Sequence, residues 1–344
     1  MGESTGVDLG VLATRHAISF ETLSGRSIAI DAHNTIYQFL SIIRQKDGTP
    51  LMDDKGRVTS HLSGLFYRNA RLIASGIKPV FVFDGPPPLL KRATLEERRE
   101  AKEEAEMRFH AARERGDLAA ARLHAQATSR LTEEMIDESK HLLSLMGIPV
   151  VQAPSEGEAQ AAFMAKSGVV FASASQDYDA LLFGSPRLVR NLTVTGRRKL
   201  PRKNIFVEVA PEMIDLQSML TALGITQRQL IWIALLIGTD FNEGVKGIGP
   251  KKALKLVREC NSLEEVIAKS GFESEVDLHA VEEFFLNPPV SEVEIRPSEP
   301  DAEGIIRFLC DEHSFARERV EGTARLLESA AKEKGAQSKL EGWL

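Results

Sequence analysis

A chain of 344 residues with 43% hydrophobic and 27% charged residues has room for one elaborated α/β domain and enough apolar content for a large core. A net charge of −6 excludes a globally basic nucleic-acid coat, so any DNA contact must come from local basic patches. Cys260 and Cys310 lack metal-ligand spacing and suit a reducing compartment, and the longest apolar run, Leu230 to Ile237, is far too short to span a bilayer, so a soluble cytoplasmic protein with no membrane partner is expected.

Met1 to Thr5 show no pattern. Ser27 to Asp31 (SIAID) reads as a short buried strand ending in an acid, and a helix is expected from Asn34 to Ile43. Lys46 to Pro50 and Asp53 to Gly56 read as loops. Ser60 to Ser75 carries Leu62, Leu65, Phe66, Ala70 and Ile73 at helical spacing and stops at Gly76. Pro79 to Phe83 is a second buried strand, again closed by an acid, Asp84. Gly85 and Pro86 to Pro88 break it. From Lys91 to Arg115 the chain is densely charged with few large apolar residues. That composition fits a solvated helix or a mobile helical segment over a site, and Lys91 and Arg98 share a face if the segment is helical throughout. A further helix is expected from Leu118 to Met146.

The stretch Val150 to Gly184 organises the rest. An apolar run leads into Ala153-Pro154-Ser155, a helix start that Ser155 can cap, and the helix then runs to a stop at Gly168. A buried strand over Val169, Val170 and Phe171 leads to the pair Asp177 and Asp179. Strands are expected near Leu188 to Leu192 and Phe206 to Val209, and helices over Pro211 to Leu223 and Gln227 to Ile237. Gly238-Thr239-Asp240 ends the latter, and another helix starts after Val245 to Lys252. The proline-rich, acidic stretch Asn287 to Gly304 reads as a surface connection, followed by one helix from Glu303 to Lys334 and a tail from Ala336.

Asp31, Asp84, Glu156, Glu158, Asp177, Asp179 and Asp240 all fall at element ends or turns. A single acid there is usually a cap or turn residue, but a set of them following buried strands is poorly explained by capping. Ligands in open α/β sheets bind beyond the carboxyl ends of strands. Oxygen-only ligands select hard cations, Mg²⁺ first with Mn²⁺ as a substitute, and two ions about 3.5–4 Å apart are the usual arrangement for phosphodiester hydrolysis. Ser155 and Glu158 also form a capping-box pattern, and Glu156 and Glu158, about 200° apart on a helix, could share a site only over its N-terminus. Asp177 and Asp179 share a side if the chain stays extended between them.

Gly247-Ile248-Gly249-Pro250-Lys251-Lys252 is a second signal. Pro250 suits the first helical position, and the glycines permit close approach of backbone to a phosphate. Two lysines in a first helical turn oppose the helix dipole unless an anion binds there. A plain hairpin turn is the alternative.

Taken together, IAIDAHNTIYQFL, KPVFVFDGPPP, VQAPSEGEAQAA, SQDYDALLFGSP and LIGTDFNEGVKGIGPKKA resemble the flap endonucleases, a branch of the structure-specific 5′ nucleases, and look closest to its archaeal members. The resemblance runs from about Gly6 to Leu344. It implies an α/β fold with a twisted, largely parallel central sheet flanked by helices, a helical arch, and a helix–two-turn–helix motif that grips duplex DNA. It implies the acid set above as metal ligands, two Mg²⁺ per subunit, and Lys91 and Arg98 at the scissile phosphate. DNA contacts are implied at Arg68, Arg71, Lys246, Gly247, Gly249, Lys251 and Lys252. Tyr37 matches an aromatic on which a displaced base can stack, although a core role would explain it equally well. The corresponding regions are 1–102 and 120–262 for the nuclease body, 103–119 within the arch, 263–335 for a C-terminal helical region, and 336–344 for a tail.

In that tail Gln337, Leu340, Trp343 and Leu344 resemble the sliding-clamp-binding motif of replication proteins, with Leu344 where an aromatic is common. A short helical turn would bring Leu340, Trp343 and Leu344 to one side. The expected activity is hydrolysis of one phosphodiester at the base of a 5′ flap, with 5′–3′ exonuclease action, by a monomer serving Okazaki-fragment maturation and base excision repair. The alternatives are a related exonuclease or gap nuclease, and a non-catalytic, clamp-bound adaptor for DNA junctions.

Overall fold

The computed structural model describes residues 7–45, 47–91, 131–193, 196–199 and 206–341, without the side chains of 196–199, 206–208 and 333–341. Arg98, the expected arch at 103–119, Trp343 and Leu344 lie outside the described residues, as do the side chains of Gln337 and Leu340.

In chain order the first nine strands described are β1 (His16–Ala17), β2 (Ser27–Asp31), β3 (Lys78–Phe83), β4 (Val150–Gln152), β5 (Ala172–Ala174), β6 (Arg187–Arg190), β7 (Gly196–Lys199), β8 (Phe206–Val209) and β9 (Glu212–Asp215). Seven of them form one sheet in the order β1-β9-β6-β5-β2-β3-β4, while β7 and β8 make a separate antiparallel ribbon. The run from β6 to β4 is parallel throughout, and β9 and β1 extend it antiparallel. Parallel strands covered on both faces need continuous apolar runs, which SIAID and KPVFVF supply. Alternation then sorts the side chains. Ile28, Ile30, Phe81 and Phe83 enter the core beneath helices Ala32–Ile42, Ser60–Ala74 and Glu133–Leu145. Ala29, Val80 and Val82 face the opposite side, where helix Gly157–Lys166 packs. A third core gathers Val7, Leu9 and Leu12 with helices Gln227–Ile237, Pro250–Val257 and Leu278–Leu286. Among the described residues no single helix is long and apolar enough to cross a membrane.

Several boundaries differ from expectation. The strand placed at Val169 to Phe171 lies instead at Ala172–Ala174. Gly168 turns at φ +77° and leaves Val169 38% exposed, and small residues take the crowded centre between β2 and β6. The helix expected from Asn34 begins at Ala32, because Asp31 accepts from the Asn34 amide and caps it. The helix expected from Pro211 begins at Leu216, since Glu212–Asp215 is drawn into the sheet between β1 and β6. The single helix from Glu303 to Lys334 is two, Ala302–Ile306 and Arg317–Glu341, separated by a π-helical stretch and a turn at Ser314 with φ +57°. Residues 287–301 are more than a surface connection: the buried Gln160 side chain bonds Ser291 through both amide ends, and Val293 and Ile295 cover the core under helix Gly157–Lys166.

Candidate active site

Because β2, β3, β4 and β5 run parallel, their carboxyl ends open on one edge, and the loops leaving that edge carry the acids. Asp31 ends β2, Asp84 follows β3, Glu156 and Glu158 follow β4, and Asp177 and Asp179 follow β5. Asp240 arrives from another direction, on the turn between helix Gln227–Ile237 and the residues that lead to helix Pro250–Val257.

Most of these carboxylates are held by identifiable donors. Asp31 Oδ1 accepts from the Asn34 amide at 3.0 Å. Asp84 Oδ1 accepts from the Gly157 amide at 2.6 Å, so the cap of helix Gly157–Lys166 comes from a different strand. The expected Ser155–Glu158 capping box is therefore absent. Ser155 Oγ turns to the Pro86 carbonyl, and Glu156 occupies the cap position with an extended backbone and makes no side-chain cap bond. That backbone break also separates the two glutamates, sending Glu156 toward Lys91 at 2.7 Å while Glu158 enters the buried interior. Asp177 Oδ2 accepts from Asn34 Nδ2 at 2.6 Å, and Asp179 Oδ1 accepts from the Val7 amide at 2.9 Å. The chain between them is not extended, since Asp179 starts the short helix Asp179–Leu182.

The electrostatic consequence is mutual repulsion in a buried cleft. Burial raises Asp31 well above the carboxylate range, and Asp84, Asp177 and Glu156 add to it. Burial does the same to Glu158, with Asp179, Asp31 and Asp177 contributing. Asp179 is pushed up to about 8, first by burial and then by Asp240 and Asp177. Burial also raises Glu156, opposed by the nearby Lys91 ammonium. Lys91 Nζ lies 2.7 Å from Glu156 and 3.1 Å from Asp240; burial disfavours its charge, but the two carboxylates outweigh burial and hold it protonated.

An oxygen-only set of repelling carboxylates suits hard divalent cations. One buried oxygen, Glu158 Oε1, has no hydrogen-bond partner, which fits a ligand atom. Among the described residues no three acids, histidines or cysteines are already grouped to hold a metal ion, and Lys91, Asn34 and the Gly157 amide each bond an individual carboxylate.

Tyr37 is half-buried one helical turn beyond Asn34, on the helix face that borders the acids. Arg68 donates to the Thr193 carbonyl at 2.8 Å, and Arg71 lies 5.2 Å over the Phe20 ring, so both expected DNA contacts are engaged with the protein body. Helices Gln227–Ile237 and Pro250–Val257 flank a hairpin and a loop that carries Lys246, Gly247 and Gly249, while Lys251 and Lys252 open the second helix, and all five are exposed. Gly247 turns at φ +85°, a side chain on Gly247 or Gly249 would meet only open space, and Lys252 Nζ clips the turn by donating to the Gly247 carbonyl at 2.9 Å.

Sequence reasoning missed Asn34 and His33. His33 Nδ1 accepts the Asp84 amide hydrogen at 3.1 Å, and burial depresses its pKa against the opposing pull of the Asp84 carboxylate. The available signal was an imidazole and an amide in the first helical turn after Asp31, where side chains point back toward the strand end.

Comparison with known proteins agrees with this arrangement. The XPG N-terminal domain model matches residues 9–105 and the XPG I-region model matches residues 147–240. The chain is 58% identical to flap endonuclease 1 of Pyrococcus abyssi and 53% identical to that of Archaeoglobus fulgidus, covering 98% of this chain in both cases and 98% and 99% of those proteins. The solved flap endonuclease-1 of Methanococcus jannaschii superposes with a TM-score of 0.76 at 44% identity, covering 96% of this chain and all of that one. The catalytic core of Rad2 in complex with DNA substrate gives 0.67 at 26% identity, covering 92% of this chain and 97% of that one. With its parallel sheet, its acids gathered at one edge and relatives this similar along nearly its whole length, the chain belongs to the flap endonuclease family of structure-specific nucleases.

Proposed function

We propose that this protein hydrolyses one phosphodiester at the base of a 5′ flap in a divalent-cation-dependent reaction, with Mg²⁺ as the natural ion and Mn²⁺ as a substitute. The observation that carries this reading is the set of mutually repelling carboxylates at the open ends of neighbouring parallel strands, including an unpaired buried oxygen on Glu158. Asp31, Asp84, Glu156, Glu158, Asp177, Asp179 and Asp240 would hold two ions, directly or through water. When bound, these ions supply Lewis-acid activation of the attacking water and charge stabilisation at the leaving oxygen.

The chain's own residues do the rest. Asn34 and the Gly157 and Val7 amides orient carboxylates before substrate arrives, and His33 holds the Asp84 backbone. Lys91 exchanges its carboxylate partners for the scissile phosphate and, with Arg98, offsets the charge that develops there. Tyr37 offers a ring on which a base displaced at the junction can stack. The loop at Lys246 to Lys252 holds duplex backbone without reading sequence, so junction shape sets specificity. Gln337, Leu340, Trp343 and Leu344 dock on a sliding clamp, which would place this enzyme, as a monomer in the cytoplasm, in Okazaki-fragment maturation and base excision repair with an accompanying 5′–3′ exonuclease action. Removing residues 336–344 should abolish clamp stimulation and leave cleavage by the free enzyme unchanged.

The test uses double-flap DNA labelled at its 5′ end, incubated with the protein in Mg²⁺, in EDTA and with Asp177→Ala. One short product released near the junction in Mg²⁺ alone supports the proposal. Tight junction binding without cleavage in Mg²⁺ or Mn²⁺ overturns it in favour of a junction-binding adaptor.

A further inference from the structure

The turn that carries Asp177 and Asp179 is held from behind by a residue that faces away from the cleft. Val189 on β6 pairs with Ala174 on β5, so the next residue, Arg190, stands beside the point where β5 has ended and residues 175–178 turn. Its guanidinium takes both ends of that turn. Nε and Nη2 donate to the Gln176 carbonyl at 3.0 and 2.8 Å, and Nη1 donates to the Tyr178 hydroxyl at 2.5 Å. The guanidinium carbon also lies 4.2 Å from the centre of the Tyr178 ring.

Tyr178 sits between the two aspartates and is only 5% exposed, with its ring in the core that also contains Val7, Leu9 and Leu12. A Cβ on Gly10 would lie 3.0 Å from the Tyr178 hydroxyl, so the N-terminal segment closes over it. That segment also reaches the cleft directly, because the Val7 amide donates to Asp179. The Gln176 amide, for its part, donates to Asn34 Oδ1 at 3.3 Å, while Asn34 Nδ2 holds Asp177. Two clamps therefore grip the turn, Asn34 on the side of the cleft and Arg190 on the side of the core.

We infer that Arg190, acting through Gln176 and Tyr178, is a positioning residue for the reaction, fixing Asp177 and Asp179 in the orientation that binds divalent cations. This role rests on the functional reading above. Arg190 touches neither substrate nor ion; its planar fork serves two acceptors on one turn, which a single ammonium cannot reproduce. Partners that orient metal ligands are typically worth 10–100-fold in metal affinity or activity.

The test compares wild type with Arg190→Met, Arg190→Lys and Tyr178→Phe. Mn²⁺ binding to the DNA-free protein is followed by electron paramagnetic resonance, single-turnover cleavage is measured at saturating flap DNA in Mg²⁺, and flap-DNA affinity is measured in EDTA. Arg190→Met should bind Mn²⁺ roughly tenfold more weakly and cleave slower by a similar factor, while its DNA affinity stays within about twofold. Raising Mg²⁺ should restore part of the rate. Arg190→Lys should recover only a fraction of the loss, and Tyr178→Phe, which removes one acceptor and keeps the packing, should fall between wild type and Arg190→Met. If Arg190→Met does not fold, a Tyr178→Phe protein with wild-type Mn²⁺ affinity and rate overturns the inference. Loss of rate that follows loss of DNA affinity, with Mn²⁺ binding intact, overturns it as well. A wild-type protein that neither binds Mn²⁺ nor cleaves is a distinct result, which overturns the functional reading and this role with it.

Discussion

The Asp84 carboxylate caps a helix to which it does not belong, accepting the Gly157 amide hydrogen at 2.6 Å. The bond joins the end of β3 to the start of helix Gly157–Lys166 and places negative charge at a helix N-terminus, where the dipole favours it. It also explains the glycine. A Cβ at 157 would stand 2.7 Å from Asp84 Oδ1 and 3.3 Å from the Val82 carbonyl. Alanine near a helix start ordinarily favours the helix, but here it must push a candidate metal ligand aside. Gly157→Ala should therefore lose about 1–3 kcal/mol of stability in chemical denaturation and at least tenfold in cleavage rate. A Gly157→Ala protein more stable than wild type with full activity would refute this account of the contact.

Lys91 lies between Glu156 and Asp240 and competes with any cation for the same two carboxylates. Replacing it by methionine removes the competitor and, by the proposal above, also the charge that assists the phosphate. Lys91→Met should bind Mn²⁺ more tightly than wild type without DNA, yet cleave about 10²-fold or more slowly in a single turnover. Its thermal midpoint in EDTA should fall, because two buried carboxylates lose their partner. Weaker Mn²⁺ binding would show that Lys91 organises the acids rather than competing for them.

The acids most legible in the sequence are those that end runs of large apolar residues. Asp31 ends SIAID and Asp84 follows KPVFVF, whose composition already declares buried strands. The β5 strand gave no comparable signal, because Ala172, Ser173 and Ala174 owe their place to crowding between β2 and β6 rather than to branched side chains. What could not be read locally was the network that orients the acids. Asn34 and Asp177 are 143 residues apart, and Asp84 and Gly157 are 73 apart, so each bond exists only once the strand order is set. The same holds for the charge of Lys91, read as facing a phosphate and found between two carboxylates.

The raised carboxyls fix the sign of a pH dependence. Asp179 moves from an ordinary value of 3.8 to about 8, chiefly through burial, and Asp31 and Glu158 are also well above their range. A group raised on folding binds more protons in the folded state, so its contribution is fully present below the unfolded value and is lost as pH rises through the folded one. In EDTA the thermal midpoint should fall between about pH 4 and pH 8, and Mg²⁺ should flatten the decline while its own affinity increases with pH. Glu158→Gln keeps the shape and removes the charge. It should lessen the fall toward about pH 8 and raise the midpoint there more than near about pH 4, while cleavage is lost. A midpoint in EDTA that rises across this interval would contradict the buried repulsion.

Lys251 and Lys252 are adjacent and both exposed, but Lys252 is already bonded to the Gly247 carbonyl. A lysine that contacts only phosphate contributes to counterion release, so Lys251→Ala should weaken flap-DNA binding uniformly across sequences and lower the slope of log affinity against log salt by about 1. Lys252→Ala removes a cation and also the clip on a turn whose Gly247 sits at φ +85°. It should therefore cost more affinity than Lys251→Ala for a similar change in slope, with the excess persisting at high salt where the electrostatic part is screened. Titrating both variants with one labelled flap substrate over a series of salt concentrations separates the two effects. Equal losses at every salt concentration would mean that the clip does not shape the loop for DNA, and an unchanged slope in Lys251→Ala would remove that lysine from the interface.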